Sequence, residues 1–337
     1  MDSALREKLR RAPKAELHLH LEGSLRPEAV LELSRRHGFP HGLRSLEECR
    51  ELYRFSDFPG FIQAIKTASQ HLIDPEDYWI AVMDLARQLK SQGVVYAEVF
   101  LSIGILHWKK TEVDPVWRAV EVARQQAERE FGVRLAWIFD AVRQFAKEHV
   151  DRVVDEAIRL QSSGPVVAIG IGGDEKGGPA EWFVEPYRRA REAGLHATVH
   201  AGESCGPESV RAAIEHLGAE RIGHGLHAGE DPALMQLLAE KQIFLDICPT
   251  SNEKTGCLAS ARQHPARAYF DQGVPLVIGS DDPGIFSVSL LDEYELFHDH
   301  LGFSFDELLE LARNSFRGSF LTEAEKRRWV RKAESRE

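Results

Sequence analysis

The sequence predicts an α/β protein of the (β/α)8 TIM-barrel class, with a helical insertion after strand 1 and extra C-terminal helices. Short β-rich segments alternate with longer amphipathic segments eight times, without a break in composition, and this alternation is typical of a closed parallel barrel. The chain has 337 residues, enough for the roughly 250 residues of such a barrel plus insertions. Polar clusters also follow several of the predicted strands, which is where barrel enzymes carry their catalytic groups.

The predicted elements are taken from apolar composition and periodicity. Segments with the composition of buried strands lie at residues 15–20, 94–101, 133–142, 166–171, 197–201, 221–224, 243–248 and 275–280. Segments with helical periodicity between or after them lie at residues 75–92, 114–131, 148–161, 182–193, 206–217, 232–241 and 265–272.

The chain exceeds a minimal barrel in two places. Residues 26–74, between the first two strands, have helical character where a short connection would suffice. The tail from Ser304 onward ends in a strongly charged stretch, residues 323–337, which is predicted to form a solvated helix. Because no linker, long-period repeat or low-complexity segment interrupts the chain, we expect residues 1–337 to form a single domain.

Composition excludes several classes of protein. A formal net charge of -11 argues against a nucleic-acid surface. The four cysteines are too scattered for a disulfide framework. The charged N-terminus is no signal peptide, and no apolar run approaches the roughly 18 residues of a membrane span. We therefore expect a cytoplasmic protein without a nucleic-acid or membrane partner, of undetermined oligomeric state.

The first strand carries two histidines on one face. Side chains alternate along an extended strand, so His18 and His20 point the same way. Neutral imidazoles that converge in this manner suit zinc and related divalent ions. Two half-buried histidines with backbone partners would produce the same pattern.

Further polar clusters follow strands five, six and eight. They are residues 200–203 (HAGE), 223–225 (GHG) and 280–283 (SDDP). Three histidines and an aspartate from separate strands would enclose one metal and leave a position for water. Each cluster also has a simpler interpretation: a core histidine at His200, a tight turn around His224, and a helix start at Pro283.

Taken in order, these motifs resemble the signatures of the adenosine/adenine deaminase family of the amidohydrolase superfamily, which includes aminodeoxyfutalosine deaminases. The resemblance runs from about Pro13 to Phe320 and rests on residues 16–23 (ELHLHLEG), 200–203 (HAGE), 221–225 (RIGHG), 248–252 (CPTSN) and 280–283 (SDDP).

The resemblance implies a barrel that holds one divalent metal, usually zinc, and replaces the 6-amino group of a purine by oxygen. By motif match, the metal ligands would be His18, His20, His200 and Asp281. Glu203 would protonate purine N1, His224 and Asp282 would handle the attacking water, and the backbone of Gly173 would meet the ring at N3.

The chemistry of the residues agrees with these roles. Attack at C6 pushes electron density towards N1, so a carboxylic acid must be kept protonated there, and burial can hold the proton on Glu203. Strand four offers no lysine at its end, where Ile169, Gly170 and Ile171 stand. We therefore expect one metal and no carbamylated bridge to a second.

The substrate is less tightly constrained by the sequence. Adenosine-specific members usually carry aspartate where this chain has Glu22, and adenine deaminases of the family also carry glutamate. Residues 100–108 are apolar and aromatic, which suits either a bulky ribose substituent, as in 6-amino-6-deoxyfutalosine, or a buried strand running into a loop. Phe58 and Phe61 have the helical spacing of a lid over a sugar, and core packing explains this spacing equally well.

We therefore predict deamination of a 6-aminopurine nucleoside, either adenosine or aminodeoxyfutalosine. The alternatives are deamination of free adenine, a purine-binding barrel without catalysis, and a metal hydrolase acting on amides or phosphoesters.

Overall fold

Parallel strands form the barrel. In residues 1–334, the part of the chain that this computed structural model describes, eight strands pair in the order of the sequence. Each strand runs parallel to the next, and a parallel bridge between Leu19 and Asp281 joins the last strand to the first. The predicted (β/α)8 barrel is confirmed. Its strands are β1 (Lys14–His20), β2 (Val94–Leu101), β3 (Arg134–Val142), β4 (Val166–Gly172), β5 (His196–Ala201), β6 (Arg221–His224), β7 (Phe244–Ile247) and β8 (Leu276–Ile278).

Helices surround this sheet. In chain order they are α1 (Ser3–Arg11), α2 (Pro27–Arg36), α3 (Leu46–Leu52), α4 (Phe58–Ser69), α5 (Pro75–Ser91), α6 (Ile103–Lys109), α7 (Val113–Phe131), α8 (Lys147–Leu160), α9 (Val184–Glu192), α10 (Pro207–Ala212), α11 (Pro232–Lys241), α12 (Pro249–Lys254), α13 (Ala266–Asp271), α14 (Pro283–Phe286), α15 (Leu290–His300), α16 (Phe305–Arg317) and α17 (Glu323–Glu334). Short 3-10 turns lie at Glu22–Ser24, Arg143–Phe145, Ala180–Phe183, Ala228–Glu230 and Ala261–Gln263.

The predicted helices all form, with two interruptions. Residues 182–193 begin within the 3-10 turn Ala180–Phe183 before α9, and residues 206–217 form α10 followed by a π-helical turn, Ala213–Leu217. Of the helices in the described part, none has both the length and the apolar character needed to cross a bilayer.

The insertion after β1 is helical, as predicted, and contains α2, α3 and α4. Asp57 caps α4 through its side chain, which accepts a hydrogen bond from the backbone of Gly60 at 2.8 Å. Phe61 on α4 packs against Ile285 and Phe286 on α14. The insertion thereby places α4 beside the carboxyl ends of the strands.

The C-terminal helices close the opposite end of the barrel. Phe316 on α16 packs with Leu17 and Val277, which come from two strands. The backbone N–H of Ala15 donates to Oγ of Ser315 at 2.7 Å. The charged helix α17 is largely exposed, as predicted up to Glu334, and residues 335–337 lie outside the described part. With the amino end covered, the cavity lies at the carboxyl end.

A buried arginine links the barrel strands from inside. Arg221 donates hydrogen bonds to Glu98 at 2.7 Å, to Asp246 at 2.8 Å and to the carbonyl of Leu17 at 3.0 Å. All three charged side chains are fully buried. A buried ion network of this kind is strongly destabilising when one partner is removed, because the remaining charges are left without compensation.

We therefore expect Arg221→Met to lower the free energy of unfolding by about 3–5 kcal/mol, measured by urea denaturation. Arg188→Met removes an exposed arginine from surface ion pairs with Glu185 and Glu192 and should leave stability unchanged. Equal stabilities for the two variants would show that the Arg221 network does not support the barrel.

Candidate active site

One cavity in the described part opens at the carboxyl end of the barrel and has a volume of about 290 Å³. Strand ends form its floor, and side chains of α4 and α6 form its outer wall. Every predicted site residue lines this cavity except His18, which lies directly beneath it.

The four predicted metal ligands lie together. His18, His20, His200 and Asp281 each offer one ligand atom, and all four atoms lie within 4.8 Å of one another. Nε2 of His18 and Nε2 of His20 are each 3.3 Å from Oδ1 of Asp281, and Nε2 of His20 is 3.3 Å from Nε2 of His200. Tetrahedral zinc ligands at roughly 2.0–2.2 Å from the ion lie about 3.3–3.6 Å apart. The spacing therefore fits a divalent metal.

Contacts to Nδ1 orient the imidazole rings of two of the ligand histidines. Nδ1 of His200 donates to the carbonyl of Ile171 at 3.1 Å, and Nδ1 of His18 faces Oδ2 of Asp246 at 3.4 Å. Within residues 1–334 neither ring nitrogen of His18 has a hydrogen-bond partner of normal geometry, so its Nε2 is free to bind an ion. Outer contacts to a carbonyl and a carboxylate are usual for metal-binding histidines.

Asp281 is held in the same way. Oγ of Ser251, at the start of α12, donates to Oδ2 of Asp281 at 2.6 Å, which leaves Oδ1 towards the histidines. No role for Asp246 or Ser251 follows from the sequence, because their partners lie far away along the chain.

Two residues of the site have an unusual backbone conformation. Asp281 and His224 both adopt positive φ, at +61° and +65°, which is costly for residues with side chains and clusters at functional sites. Gly223 makes room for a ligand ring, because a Cβ atom there would lie 2.7 Å from Cε1 of His18. Strained backbone at Asp281 and His224 and close packing at Gly223 therefore both help to bring the side chains of the cluster together.

The charges of the cluster favour a cation. Burial lowers the pKa of His18, but the carboxylates of Asp246 and Asp281 outweigh it and raise that pKa to about 9. Burial raises the pKa of Asp281, but the histidines beside it lower this pKa well below its usual range, so Asp281 is ionised. Burial and the neighbouring histidines lower the pKa of His200, which keeps its ring neutral and able to act as a ligand.

Glu203 is a buried carboxyl group that retains its proton. Burial raises its pKa to about 8, and the negative charges of Asp281 and Glu175 add to the effect. Its Oε2 lies 3.6 Å from Nε2 of His224. A carboxylic acid is therefore present in the cavity near neutral pH.

Glu175 fixes the loop that carries Glu203. Its carboxylate accepts hydrogen bonds from the backbone N–H groups of Gly202 at 2.9 Å, Glu203 at 2.9 Å and Ser204 at 2.7 Å, and from Oγ of Ser209 at 2.5 Å. This anchor was not identified from the sequence, although Glu175 lies only two residues after Gly173.

His224 is neutral and has one free nitrogen. Burial lowers its pKa to about 4. The side-chain amide of Asn252 lies 3.2 Å from Nδ1, while Nε2 is buried without a hydrogen-bond partner in the described part. The amide nitrogen Nδ2 of Asn252 donates to Nδ1, so the proton of the neutral ring lies on Nε2, which faces the cavity as a donor.

Asp282 lies on the cavity wall next to Gly23. A Cβ atom at position 23 would fall 1.7 Å from Oδ1 of Asp282, so only glycine allows this approach. A helix does start at Pro283, as the simpler interpretation of residues 280–283 has it, but the side chain of Asp282 makes no capping hydrogen bond to this helix, α14. Burial and Asp281 raise the pKa of Asp282.

The cavity also contains a polar group that was not predicted. Asp140, on β3, lines the same cavity as Glu22 and Gly173. Burial raises the pKa of Asp140 to about 6 and that of Glu22 to about 7. Asp140 lies inside an apolar strand in the sequence, which gave no signal of its position.

The outer wall comes from the insertion and from α6. Phe58 and Phe61 line the cavity, and Phe61 also stacks on Phe286 with ring centroids 5.3 Å apart. Phe58 and Phe61 therefore line the cavity, and Phe61 also packs in a hydrophobic cluster with α14; a lid over a sugar stays a prediction. Residues 100–108 do not run from a strand into a loop: after β2 they form α6, which brings Trp108 to the cavity.

Known proteins are similar to this chain in sequence and in fold. The model of the adenosine deaminase family matches residues 13–335. The chain is 38% identical over 320 residues to an aminodeoxyfutalosine deaminase of Streptomyces avermitilis, covering 94% of this chain and 88% of the relative. It is 33% identical over 326 residues to an adenine deaminase of Cupriavidus metallidurans, covering 97% and 92%.

Among solved structures, the adenine deaminase from Arthrobacter aurescens superposes with a TM-score of 0.91 at 30% identity, over 96% of this chain and 98% of that one. Together with the family match, these similarities establish the relationship. The chain belongs to the adenosine deaminase family of the amidohydrolase superfamily and is a metal-dependent hydrolase that deaminates a purine.

Proposed function

We propose that the protein hydrolyses the 6-amino group of a purine nucleoside, adenosine or 6-amino-6-deoxyfutalosine, to give the 6-oxo product and ammonia. The observation that supports a nucleoside is the outer wall of the cavity. Beyond the catalytic carboxyl groups it is lined by apolar and aromatic side chains of α4, α6 and the segment after β3, namely Phe58, Phe61, Ile62, Ile65, Ile105, Trp108, Val142 and Phe145. A bare purine would leave much of this wall uncovered.

The proposed metal is a single zinc ion held by His18, His20, His200 and Asp281. Three imidazoles and one carboxylate form a donor set that zinc favours, and the spacing of the ligand atoms agrees with it. When bound there, zinc would lower the pKa of water from 15.7 to about 7 and so supply a nucleophile at neutral pH.

His224 is proposed to orient the attacking water through its Nε2–H group, and Asp282 is proposed to receive the proton of that water. Both line the cavity beside Asp281. Nε2 of His224 has no other partner in the described part, and the raised pKa of Asp282 makes its carboxylate a better proton acceptor. Asn252 is the proposed positioning residue for His224.

Glu203 is proposed to supply the proton for purine N1. Addition of oxygen at C6 moves an electron pair onto N1, and the proton of Glu203 neutralises the charge that develops there. The C6–N bond then breaks: the amino group leaves as ammonia with the proton that Asp282 took from water. The hydroxyl on C6 gives its proton to Glu203 and becomes the 6-oxo group, while N1 keeps its proton. The Glu175 anchor holds Glu203 at the ring edge throughout.

The remaining contacts are proposed to place the ring and the sugar. Gly173 would meet N3 through its backbone, and Glu22 would accept a hydrogen bond from a sugar hydroxyl. We propose that residues 26–74 act as a lid through α4, which supplies Phe58 and Phe61. A single domain over residues 1–337 and a cytoplasmic location stay predictions.

Free adenine is the second candidate substrate, because the Cupriavidus metallidurans relative at 33% identity is an adenine deaminase. A barrel without catalysis is disfavoured, since the acid, the ligand set and Asp282 are all present. Hydrolysis of amides or phosphoesters would not require a protonated Glu203 in the cavity.

We expect Glu203→Gln to lower kcat by roughly 10²–10⁴-fold, because the amide cannot deliver a proton to N1. The rate is followed by the absorbance difference between 6-aminopurine and 6-oxopurine. Glu208→Gln, which changes an exposed carboxylate five residues away, is the matched control and should keep the wild-type rate. Full activity in the Glu203 variant would contradict its role as the acid.

The substrate is tested by kcat/KM for aminodeoxyfutalosine, adenosine and adenine. We expect both nucleosides to exceed adenine by at least roughly 10-fold, because they cover the apolar outer wall. Trp108→Ala should raise KM for aminodeoxyfutalosine and leave the kinetics of adenine unchanged. Equal low rates on all three compounds would show that the substrate class is wrong.

A further inference from the structure

Three neighbouring strand ends bring unpartnered polar atoms to one side of the cavity. Oε2 of Glu22, Oγ of Ser102 and Oδ1 of Asp140 are buried and have no hydrogen-bond partner among the described residues. Their side chains are only 1%, 3% and 5% exposed, and all three line the cavity. Glu22 follows β1, Ser102 follows β2 and Asp140 lies near the end of β3.

The carboxyl groups of Glu22 and Asp140 offer acceptor oxygens, and the hydroxyl of Ser102 can accept as well as donate. The backbone N–H of Ser102 donates to Oε1 of Glu22 at 3.2 Å, which fixes that carboxyl group and leaves its other oxygen free. Leaving a buried acceptor unpaired costs free energy that a ligand with hydrogen-bond donors recovers. The cluster therefore selects a ligand that offers donors at this position.

Among the described residues, no hydrogen-bond or ion-pair partner explains the burial of the Asp140 carboxyl group. The nearest arginine in sequence, Arg143, donates instead to the carbonyls of His200 at 2.6 Å and Gly178 at 3.1 Å. Asp140 is also not one of the four residues that offer ligand atoms to the metal cluster. Within residues 1–334, neither an ion pair nor a ligand position in the metal cluster accounts for this carboxyl group.

The donors of a purine substrate limit what the cluster can bind. Ring nitrogens N1, N3 and N7 are acceptors, and the 6-amino group is engaged at the reaction centre. A free base therefore has one further donor, its N9–H group, whereas a ribonucleoside has none at N9 but carries two adjacent ribose hydroxyls. A cluster with two carboxyl groups and one hydroxyl matches two donors better than one.

We propose that Asp140 is a specificity-determining residue that accepts a hydrogen bond from a ribose hydroxyl. With Ser102 and Glu22 it forms a subsite for the vicinal diol of a 6-aminopurine ribonucleoside. This inference rests on the proposed function, which assigned a sugar contact to Glu22 alone, and it extends the site to a strand that carries none of the sequence motifs.

The test measures competitive inhibition constants for inosine, 2′-deoxyinosine, 3′-deoxyinosine and hypoxanthine, against whichever 6-aminopurine the enzyme turns over. Wild-type enzyme should bind inosine roughly 10- to 100-fold more tightly than at least one deoxy analogue. In Asp140→Leu this ratio should fall to within about threefold, because only inosine binding is weakened. Asp140→Asn, which keeps one acceptor oxygen, should recover part of the ratio. Exposed Glu148, on α8 shortly after β3, provides the control Glu148→Gln, which should keep the full ratio.

The melting temperature is a second readout, which distinguishes a role of Asp140 in substrate binding from a role in stabilising the fold. Because the free protein buries an unpaired carboxyl group, Asp140→Asn should raise Tm, whereas a structural role would lower it. A folded Asp140→Leu enzyme that keeps the wild-type ratio, or a fall in Tm for Asp140→Asn, would overturn the inference alone. Turnover of adenine but of no nucleoside, with hypoxanthine bound more tightly than inosine, would overturn the proposed function as well.

Discussion

Closure of the barrel is the constraint on which the site depends. The N–H of His20 donates to the carbonyl of Asp281 at 2.8 Å, and the N–H of Asp281 donates to the carbonyl of His18 at 3.0 Å. These two hydrogen bonds join strand ends that are about 260 residues apart in the chain. They also place the carboxylate of Asp281 directly beside both imidazoles, so the contacts that complete the sheet also assemble the ligand cluster.

The barrel interior contains many buried charged side chains, which lie in two regions: below the metal-ligand cluster and around the cavity. Below the cluster, Arg221 compensates Glu98 and Asp246, and Asp246 in turn faces His18. At the level of the cavity, several carboxyl groups lack such compensation, and burial raises the pKa of Glu203 to about 8. The Arg221 network thus lies at the covered end of the barrel. The buried carboxyl groups without compensating charges lie in the cavity, where a substrate and a cation can bind them.

The elements of the barrel were predictable because each depends on local composition. Alternation along β1 also predicted that His18 and His20 share a face, and the family resemblance supplied the remaining ligands. Helix α6 was missed because the apolar run of β2 continues into it without a turn signal. The N-terminal helix α1 was missed because its sequence is strongly charged and its apolar face consists of few residues, chiefly Leu5 and Leu9.

The residues that orient the site were mostly not predictable. Ser251, Asn252 and Asp246 act through partners some 28 to 228 residues away in sequence. Asp140 lies within an apolar strand segment, and only the closed barrel shows that its side chain meets a cavity. Such roles depend on which strands become neighbours and which side chains stay unpartnered. Neither property can be inferred from the residues that lie next to each other in a single sequence.

The most direct test of this account is anomalous diffraction from crystals of the purified protein, recorded on both sides of the zinc absorption edge. The account predicts a single strong anomalous peak, bounded by Nε2 of His18, His20 and His200 and by Oδ1 of Asp281. The other potential ligand group in the described part, His37 with Asp74 and Asp77, should show no peak. A protein that is active without any peak between the four ligands, or that carries two metals in the cavity, would contradict it.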